Sequence, residues 1–266
     1  MTVRLNKLLA DRGIAARRKC DTLIQEGDVR VDGQVVREPG TQVDPWRQEV
    51  TVRGRALPAE RADAYFALHK PVNVLTTMHD PDGRPTVAAY LPRGGPRLFP
   101  VGRLDGDTSG LLLVTSDGDL AHRLMHPRYE IPKTYHLSLS RAPAPRALAQ
   151  LGMGVEFAPG ETSRPARVEV LGRTLVALTI AEGRNRQVRR MCAALELDLV
   201  ALARVRVGPI ELGDLPVGAV RPLTADEVRG LRNAVSEAAA ARQARPGRVT
   251  AGPRRRSGPK KPPRTR

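Results

Sequence analysis

The chain has 266 residues, of which 41% are hydrophobic and 3% aromatic, so Leu, Val, Ala and Ile must fill one large core or two smaller ones. A formal charge of +16 at pH 7 is unusual for an enzyme of small metabolites and favours a polyanionic partner, nucleic acid or the ribosome ahead of a membrane. The sequence contains no run of about 18 apolar residues and no signal-peptide pattern, and the spacing of Cys20 and Cys192 is that of neither a disulfide framework nor a zinc site. We therefore predict a cytoplasmic protein without a membrane span.

Residues 1–53 are predicted to form a compact module of two helices and a hairpin. Three leucines, the first of them Leu5, share one face of a short helix, and a second helix covers about residues 15–26 and ends at Gly27. Residues 29–36 then alternate around an Asp-Gly pair, a strong signal for a β-hairpin. Four basic residues cluster where the helices meet, namely Arg12, Arg17, Arg18 and Lys19.

The segment RLNKLLADRGIAARRKCDTLIQEGDVRVDGQVV resembles the S4 RNA-binding domain, a small module of ribosomal and RNA-modifying proteins. The resemblance covers about the first fifth of the chain. It implies that the four basic residues contact RNA. A polar, punctuated stretch over residues 54–63 then predicts a linker.

Residues 64–232 are predicted to form a second domain of α+β class, with a mixed sheet flanked by helices, because strand and helix patterns alternate without a repeat. The predicted elements are strands at 65–70, 111–114, 168–171 and 175–180 and helices at 120–125, 146–151, 186–195 and 225–241.

The last segment, residues 242–266, contains ten Lys or Arg residues, five prolines and no acid. Such a composition predicts a disordered tail, which cannot bury enough apolar surface to offset its ordering entropy. Clustered cations release counterions when they bind phosphates, so we expect the tail to contact RNA or the ribosome.

The most informative segment is GRLDGDTSGLLLVT, a glycine-rich loop that runs into an apolar strand and carries two carboxylates, Asp105 and Asp107. A phosphate-binding loop would need a lysine that is absent here, and a calcium loop would need a glutamate where Ser116 stands. A catalytic loop is the remaining interpretation, since glycines let a backbone approach its substrate. Composition does not choose between the two aspartates.

This loop resembles the signature of the pseudouridine synthases of the ribosomal small-subunit and large-subunit branch. Further segments resemble that family in its own order: LHKPVNVLTTMHDPDGRPTV, HPRYEIPKTYHLSL, AEGRNRQVRRMCAALE and LARVRVGPIELGDLPVGAVRPLT. The resemblance implies that Asp105 is the nucleophile, that Tyr135 packs on the target base and that Arg189 pairs with Asp105. It also implies a reaction without cofactor or metal.

The resemblance further implies that Arg103 fills the gap left by a flipped nucleotide and that other basic residues hold the RNA backbone, namely Arg184, Arg186 and Arg190. The expected partner is ribosomal RNA, with 23S ahead of 16S, or a pre-ribosomal particle, bound by a monomer. Two alternatives stay open: the same chemistry on 16S rRNA, and a non-enzymatic S4-type ribosome-binding factor.

Overall fold

The computed structural model describes residues 2–60 and 62–244, which form an α+β protein with a small N-terminal domain ahead of a larger one, as predicted. The α-helices within these residues are α1 Leu5–Asp11, α2 Arg17–Glu26, α3 Gly118–Met125, α4 Pro145–Met153, α5 Gln187–Ala194 and α6 Ala225–Ala244. The strands of the first domain are β1 Val3–Arg4, β2 Val29–Val31, β3 Gln34–Val36, β4 Gln42–Val43, β5 Val50–Val52 and β6 Arg55–Ala56.

The strands of the second domain follow the same chain order. They are β7 Tyr65–Lys70, β8 Phe99–Pro100, β9 Ser109–Thr115, β10 Lys133–Leu139, β11 Glu156–Ala158, β12 Glu161–Thr162, β13 Arg167–Val170, β14 Leu175–Ile180, β15 Leu199–Val207, β16 Ile210–Glu211 and β17 Val220–Pro222.

The N-terminal domain has the predicted helix–helix–hairpin arrangement. Gly27 closes α2 in the left-handed conformation, at φ 83°, and the β2–β3 turn places Asp32 and Gly33 there too, as a two-residue hairpin requires. The strands β5 and β6, which the sequence did not predict, extend the hairpin into a four-stranded sheet. Part of the segment predicted as a linker therefore belongs to this domain, and Leu57 packs against its core.

The second domain is built on a nine-stranded mixed sheet of order β13-β14-β10-β15-β9-β7-β17, with β8 and β16 paired at its side. Strand β9 lies inside it and is buried on both faces: Leu111 and Leu113 join a core with α3 and α6, while Leu112 and Val114 face the opposite core. Alternating side chains of one strand thus hold two cores together.

Helix α6 ends at Ala244, so residues 242–244 are helical, whereas the sequence placed them in a disordered tail. The rest of that predicted tail, residues 245–266, lies outside the described residues. Within the part of the chain that the structure describes, no helix is both long and apolar enough to cross a membrane.

Strands β9 and β15 pair in parallel through Ser109 and Gly110, while the neighbouring pairs of the sheet are antiparallel. The glycine has φ 108°, and a Cβ atom built on it would overlap the backbone of Arg204 on β15. Because this close approach is possible only without a side chain, Gly110 determines how near the two strands lie.

We expect Gly110→Ala to lower the free energy of unfolding by about 3 kcal/mol or more, since the methyl group forces β9 and β15 apart in a packed core. Gly106→Ala, in the same loop, is the matched control. Its Cβ would meet only Leu75 Cδ2 at 3.9 Å, so it should change stability by less than about 1 kcal/mol. Urea unfolding of both variants measures the difference; equal losses would contradict this role of Gly110.

Lys70 ends β7 as a buried cation. Its ammonium group donates to the carbonyl oxygens of Pro71, at 2.8 Å, and Thr108, at 3.0 Å, and so ties the loop before β9 to the neighbouring strand. Burial lowers the pKa of Lys70 to about 8, against the opposing effect of the carboxylates of Asp105 and Asp107. At neutral pH the folded protein therefore keeps an ammonium group in an unfavourable environment.

This burial makes a pH-dependent contribution to stability. Between pH 8 and about 10.5 the folded protein releases the Lys70 proton while the unfolded chain retains it, so the free energy of unfolding rises with pH in this window. Relative to Lys70→Met, the wild-type protein should gain about 2 kcal/mol between pH 7 and pH 10. Parallel stability curves for the two proteins would show that Lys70 is not perturbed by burial.

Candidate active site

The loop between β8 and β9 is held on several sides. The hydroxyl of Thr76 donates to the carbonyl of Leu104, at 2.7 Å, and accepts from its N–H, at 3.2 Å. The N–H of Asn73 donates to the Gly106 carbonyl at 2.6 Å, and the Thr108 N–H donates to the carbonyl of Asp105 at 3.1 Å. The half-buried Asp105 therefore stands on a backbone fixed before and after it.

Asp105 lies in a cleft of about 490 Å³ between this loop, the start of β10, β15 and the segment that leads into α5. The cleft brings together six of the residues that the sequence predicted for the site: Arg103, Asp105, Tyr135, Arg184, Arg186 and Arg189. Residues more than 80 positions apart in the sequence thus share one concave surface, as small-molecule and base-binding sites require.

The ion pairs differ from those that the resemblance implied. Arg189 contacts Asp107, with Nε 3.2 Å from Oδ2 and Nη2 donating to its carbonyl oxygen at 2.7 Å. Arg186 donates to both carboxylate oxygens of Asp107, at 3.2 and 2.8 Å, and places Nη1 3.8 Å from Asp105 Oδ2. The predicted pairing of Arg189 with Asp105 is therefore replaced by pairing with the neighbouring aspartate.

Asp107 is thus the anchor of both arginines. Its hydrogen bonds from Arg186, followed by the charge of Arg189, lower the pKa of Asp107 below its ordinary value. Arg186 precedes α5 with a left-handed backbone, φ 48°, which is uncommon for a residue with a long side chain and directs the chain toward the loop. Nothing in the local sequence distinguishes Arg186 from the other basic residues of this segment.

Tyr135 lies in the middle of the sheet, where β10 pairs with β14 on one side and β15 on the other. Its half-buried ring packs against the apolar clusters on both sides and also lines the cleft. A ring held in this way can offer an aromatic surface to a flat ligand without losing further side-chain entropy.

The other predicted RNA-binding residues near the cleft occupy different positions. Arg103 is exposed at its edge. Arg184 and Arg190 both stack on Phe157 of β11, with guanidinium carbons 5.4 and 4.6 Å from the ring centre. Arg190 also pairs with Glu161 at 3.2 Å and does not line the cleft. These two arginines extend the basic surface from the cleft to the β11–β12 hairpin.

The basic cluster of the N-terminal domain divides into two parts. Arg17, Arg18 and Lys19 are exposed in the first turn of α2. Arg12 instead pairs with Glu60 at 3.2 Å and donates to the Pro58 carbonyl, so it attaches the domain to the segment that follows. Among these four basic side chains, only that of Arg12 forms an ion pair or hydrogen bond within the described residues.

Sequence reasoning missed two further cations of the cleft, Lys133 at the start of β10 and Arg204 on β15. Lys133 lies within the segment HPRYEIPKTYHLSL together with Tyr135, but a lysine at this position does not by itself indicate a functional role. Arg204 and Arg206 interrupt an otherwise apolar strand, which is also why β15 itself was not predicted. The described residues include no group of three or more His, Cys, Asp or Glu side chains placed to hold a metal ion.

Two family models match the chain. Residues 3–45 match the S4 domain, and residues 64–194 match the RNA pseudouridylate synthase family. A solved structure described as a pseudouridylate synthase is 32% identical, superposes with a TM-score of 0.63 and covers 86% of this chain and 99% of that one.

Curated relatives align with similar fractions of this chain. An uncharacterized RNA pseudouridine synthase of Mycobacterium leprae is 45% identical, over 86% of this chain and 92% of its own. The ribosomal large subunit pseudouridine synthase B of Bacillus subtilis is 42% identical, over 86% and 95%. The ribosomal small subunit pseudouridine synthase A of Escherichia coli is 38% identical, over 85% and 98%. The chain belongs to the RNA pseudouridylate synthase family, whose members isomerise uridine to pseudouridine, and it carries an S4 domain ahead of the catalytic domain.

Proposed function

We propose that this enzyme converts one uridine of ribosomal RNA to pseudouridine, with Asp105 as its catalytic carboxylate. The observation that carries the proposal is the position of Asp105, half-buried in the cleft that Tyr135 lines and fixed by backbone hydrogen bonds on both sides. A carboxylate held in this way is oriented before the substrate arrives, which favours attack at one atom.

The reaction detaches uracil from its ribose, turns the base and rejoins it through C5 instead of N1. Asp105 either attacks C1′ of the ribose or removes a ribose proton on the way to a glycal. Arg189 and Arg186 orient the loop through Asp107, and Arg186 also faces Asp105 directly. Tyr135 stacks on the uracil while it turns, which keeps the free base within the cleft.

A uridine within folded RNA must leave its stack to reach this cleft. Arg103 is exposed and lines the cleft, and it would fill the gap that the flipped nucleotide leaves. The phosphates around it would contact Arg184, Arg186 and Arg190, and residues 1–53 would recruit the RNA through the exposed Arg17, Arg18 and Lys19 of α2. The basic segment 242–266 would add a contact with RNA phosphates whose strength depends on the salt concentration but not on the RNA sequence.

We favour 23S rRNA, free or in a pre-ribosomal particle, as the substrate. Support comes from the higher identity to the large-subunit relative than to the small-subunit one, 42% against 38%, over similar lengths. The same chemistry on 16S rRNA is the second candidate. We place the reaction in the cytoplasm, where ribosomes assemble, and assign it to a monomer, because one chain supplies every residue named in the cleft.

Asp105→Asn should keep the fold and the affinity for rRNA but lower the rate of pseudouridine formation at least about 1,000-fold. The reason is that the amide retains the shape of the side chain but lacks the nucleophilic charge. Release of tritium from rRNA labelled at C5 of uridine measures the rate, and a melting curve checks the fold.

Asp107→Asn is the matched control, two residues further along the same loop. This change weakens the ion pairs of residue 107 with Arg186 and Arg189. We expect the rate of pseudouridine formation to fall about 10- to 100-fold, the effect of losing one hydrogen bond between charged groups. A folded Asp105→Asn protein with activity near that of the wild type would refute the assignment of the nucleophile.

The target is tested in cells that lack the gene. Chemical mapping of pseudouridines should show one modification missing from 23S rRNA, with the 16S sites intact. The wild-type gene should restore this site and the Asp105→Asn gene should not. A missing site in 16S rRNA would overturn the large-subunit assignment while leaving the chemistry in place.

A further inference from the structure

The floor of the cleft holds two cations on neighbouring strands. Arg204 of β15 lies opposite Tyr135 of β10 in the strand register, and Lys133 precedes Tyr135 by two residues. Since side chains alternate along a strand and opposite residues share a face, all three point to the same side of the sheet. All three line the cleft together with Asp105.

Neither cation has a carboxylate partner in the described chain. Lys133 Nζ donates to the Ile131 carbonyl oxygen at 3.0 Å, and Arg204 Nε donates to the Leu111 carbonyl oxygen at 2.8 Å. The ion pairs formed within residues 2–60 and 62–244 include neither side chain. Three carboxylates line the cleft, and each pairs with an arginine instead: Asp105 with Arg186, Glu130 with Arg164 and Glu182 with Arg184. The two cations are held by carbonyl dipoles alone.

This arrangement is unfavourable in the free enzyme. Arg204 is only 3% exposed, and burial followed by the charge of Arg204 lowers the pKa of Lys133 to about 8. Two like charges at the bottom of a cleft repel each other and lack the anion that normally compensates buried cations. An anion entering the cleft would relieve both penalties, so the site is built to favour negative charge.

We propose that Lys133 and Arg204 stabilise the negative charge that uracil carries while it is detached from the ribose. This rests on the proposed function, because it concerns the step that follows attack on the target uridine. When the N1–C1′ bond breaks, its electron pair stays on the base and spreads over N1, O2 and O4. The base loses this charge when C5 bonds to C1′. In the same step C1′ releases Asp105 as a carboxylate or, in the glycal route, Asp105 returns the proton that it took from the ribose. The C5 proton then leaves and N1 takes up a proton, so the whole sequence is an isomerisation.

The depth of the two cations distinguishes the base from a phosphate as their partner. The arginines at the rim, Arg103, Arg184 and Arg186, are exposed and within reach of an RNA backbone. Lys133 is half-buried and Arg204 is buried, and both line the cleft with Tyr135, so a base stacked on that ring would reach them and a phosphate held by the exposed arginines would not. Preorganised cations at the place where charge develops contribute about 100- to 1,000-fold in rate at comparable sites.

The test uses Lys133→Met, because Arg204 also supports the β9 backbone and its loss would disturb the sheet. Transcripts of bacterial 23S and 16S rRNA are made with uridine or with 5-fluorouridine, whose fluorine stabilises the base anion by withdrawing electrons. Nuclease digestion and mass spectrometry measure the loss of uridine or 5-fluorouridine from the RNA in a single turnover. Filter binding measures the affinity for the RNA. Lys133→Arg keeps the charge, and Arg173→Met removes an exposed charge from the β13–β14 turn as a control.

Lys133→Met should react about 100-fold more slowly on uridine RNA with an unchanged Kd, and the deficit should shrink at least several-fold on 5-fluorouridine RNA. Lys133→Arg should recover most of the rate, and Arg173→Met should match the wild type. An equal loss of rate on both substrates would overturn the proposal. Weaker binding with a normal rate at saturating RNA would also overturn it and would indicate that Lys133 contacts a phosphate. An inactive wild-type enzyme would overturn the proposed function as well, whereas an active wild type with an unaffected Lys133→Met refutes the charge role alone.

Discussion

The approach of Gly110 to the backbone of Arg204 is the constraint on which the catalytic domain depends. It allows β9 and β15 to pair in parallel, and this pair joins the β7 half of the sheet to the β10 half. The same contact lies where the loop of Asp105 runs into β9. The distance between the two halves and the position of the aspartate are therefore set by one residue without a side chain.

The remaining contacts of the loop turn this position into a rigid one. Thr76 and Asn73 hold its backbone from one side, and Lys70 holds Thr108 from another. Arg186 and Arg189 close the third side by pairing with Asp107. Within the described residues Asp105 forms one ion pair, with Arg186 at 3.8 Å, and it lines the cleft, an arrangement that fits the catalytic role proposed for this carboxylate.

Electrostatics connect this rigidity to the handling of RNA. Exposed cations lie around the cleft and in the first turn of α2, and in the proposed function they bind RNA phosphates in water and contribute mainly to affinity. The cations on the floor are different, because they are desolvated and lack a carboxylate partner in the described chain. The cost of holding them there is acceptable if the reaction itself generates the missing negative charge.

The sequence by itself determined the fold class, the helix–helix–hairpin of the first domain, the strand that follows the Asp105 loop and the six α-helices of the described residues. Glycines, hairpin turns and apolar periodicity act over a few neighbouring residues, so these features can be predicted locally. Strands β5, β6 and β15 are among those that the sequence did not predict, since short or arginine-interrupted strands acquire their form only from the partners beside them. The pairing of Arg189 with Asp107 and the meeting of Lys133 with Arg204 were decided by the tertiary structure alone. These side chains are 71 or more residues apart in the sequence. Their pairing depends on the strand register and on the left-handed backbone at Arg186, and neither feature can be predicted from the neighbouring residues.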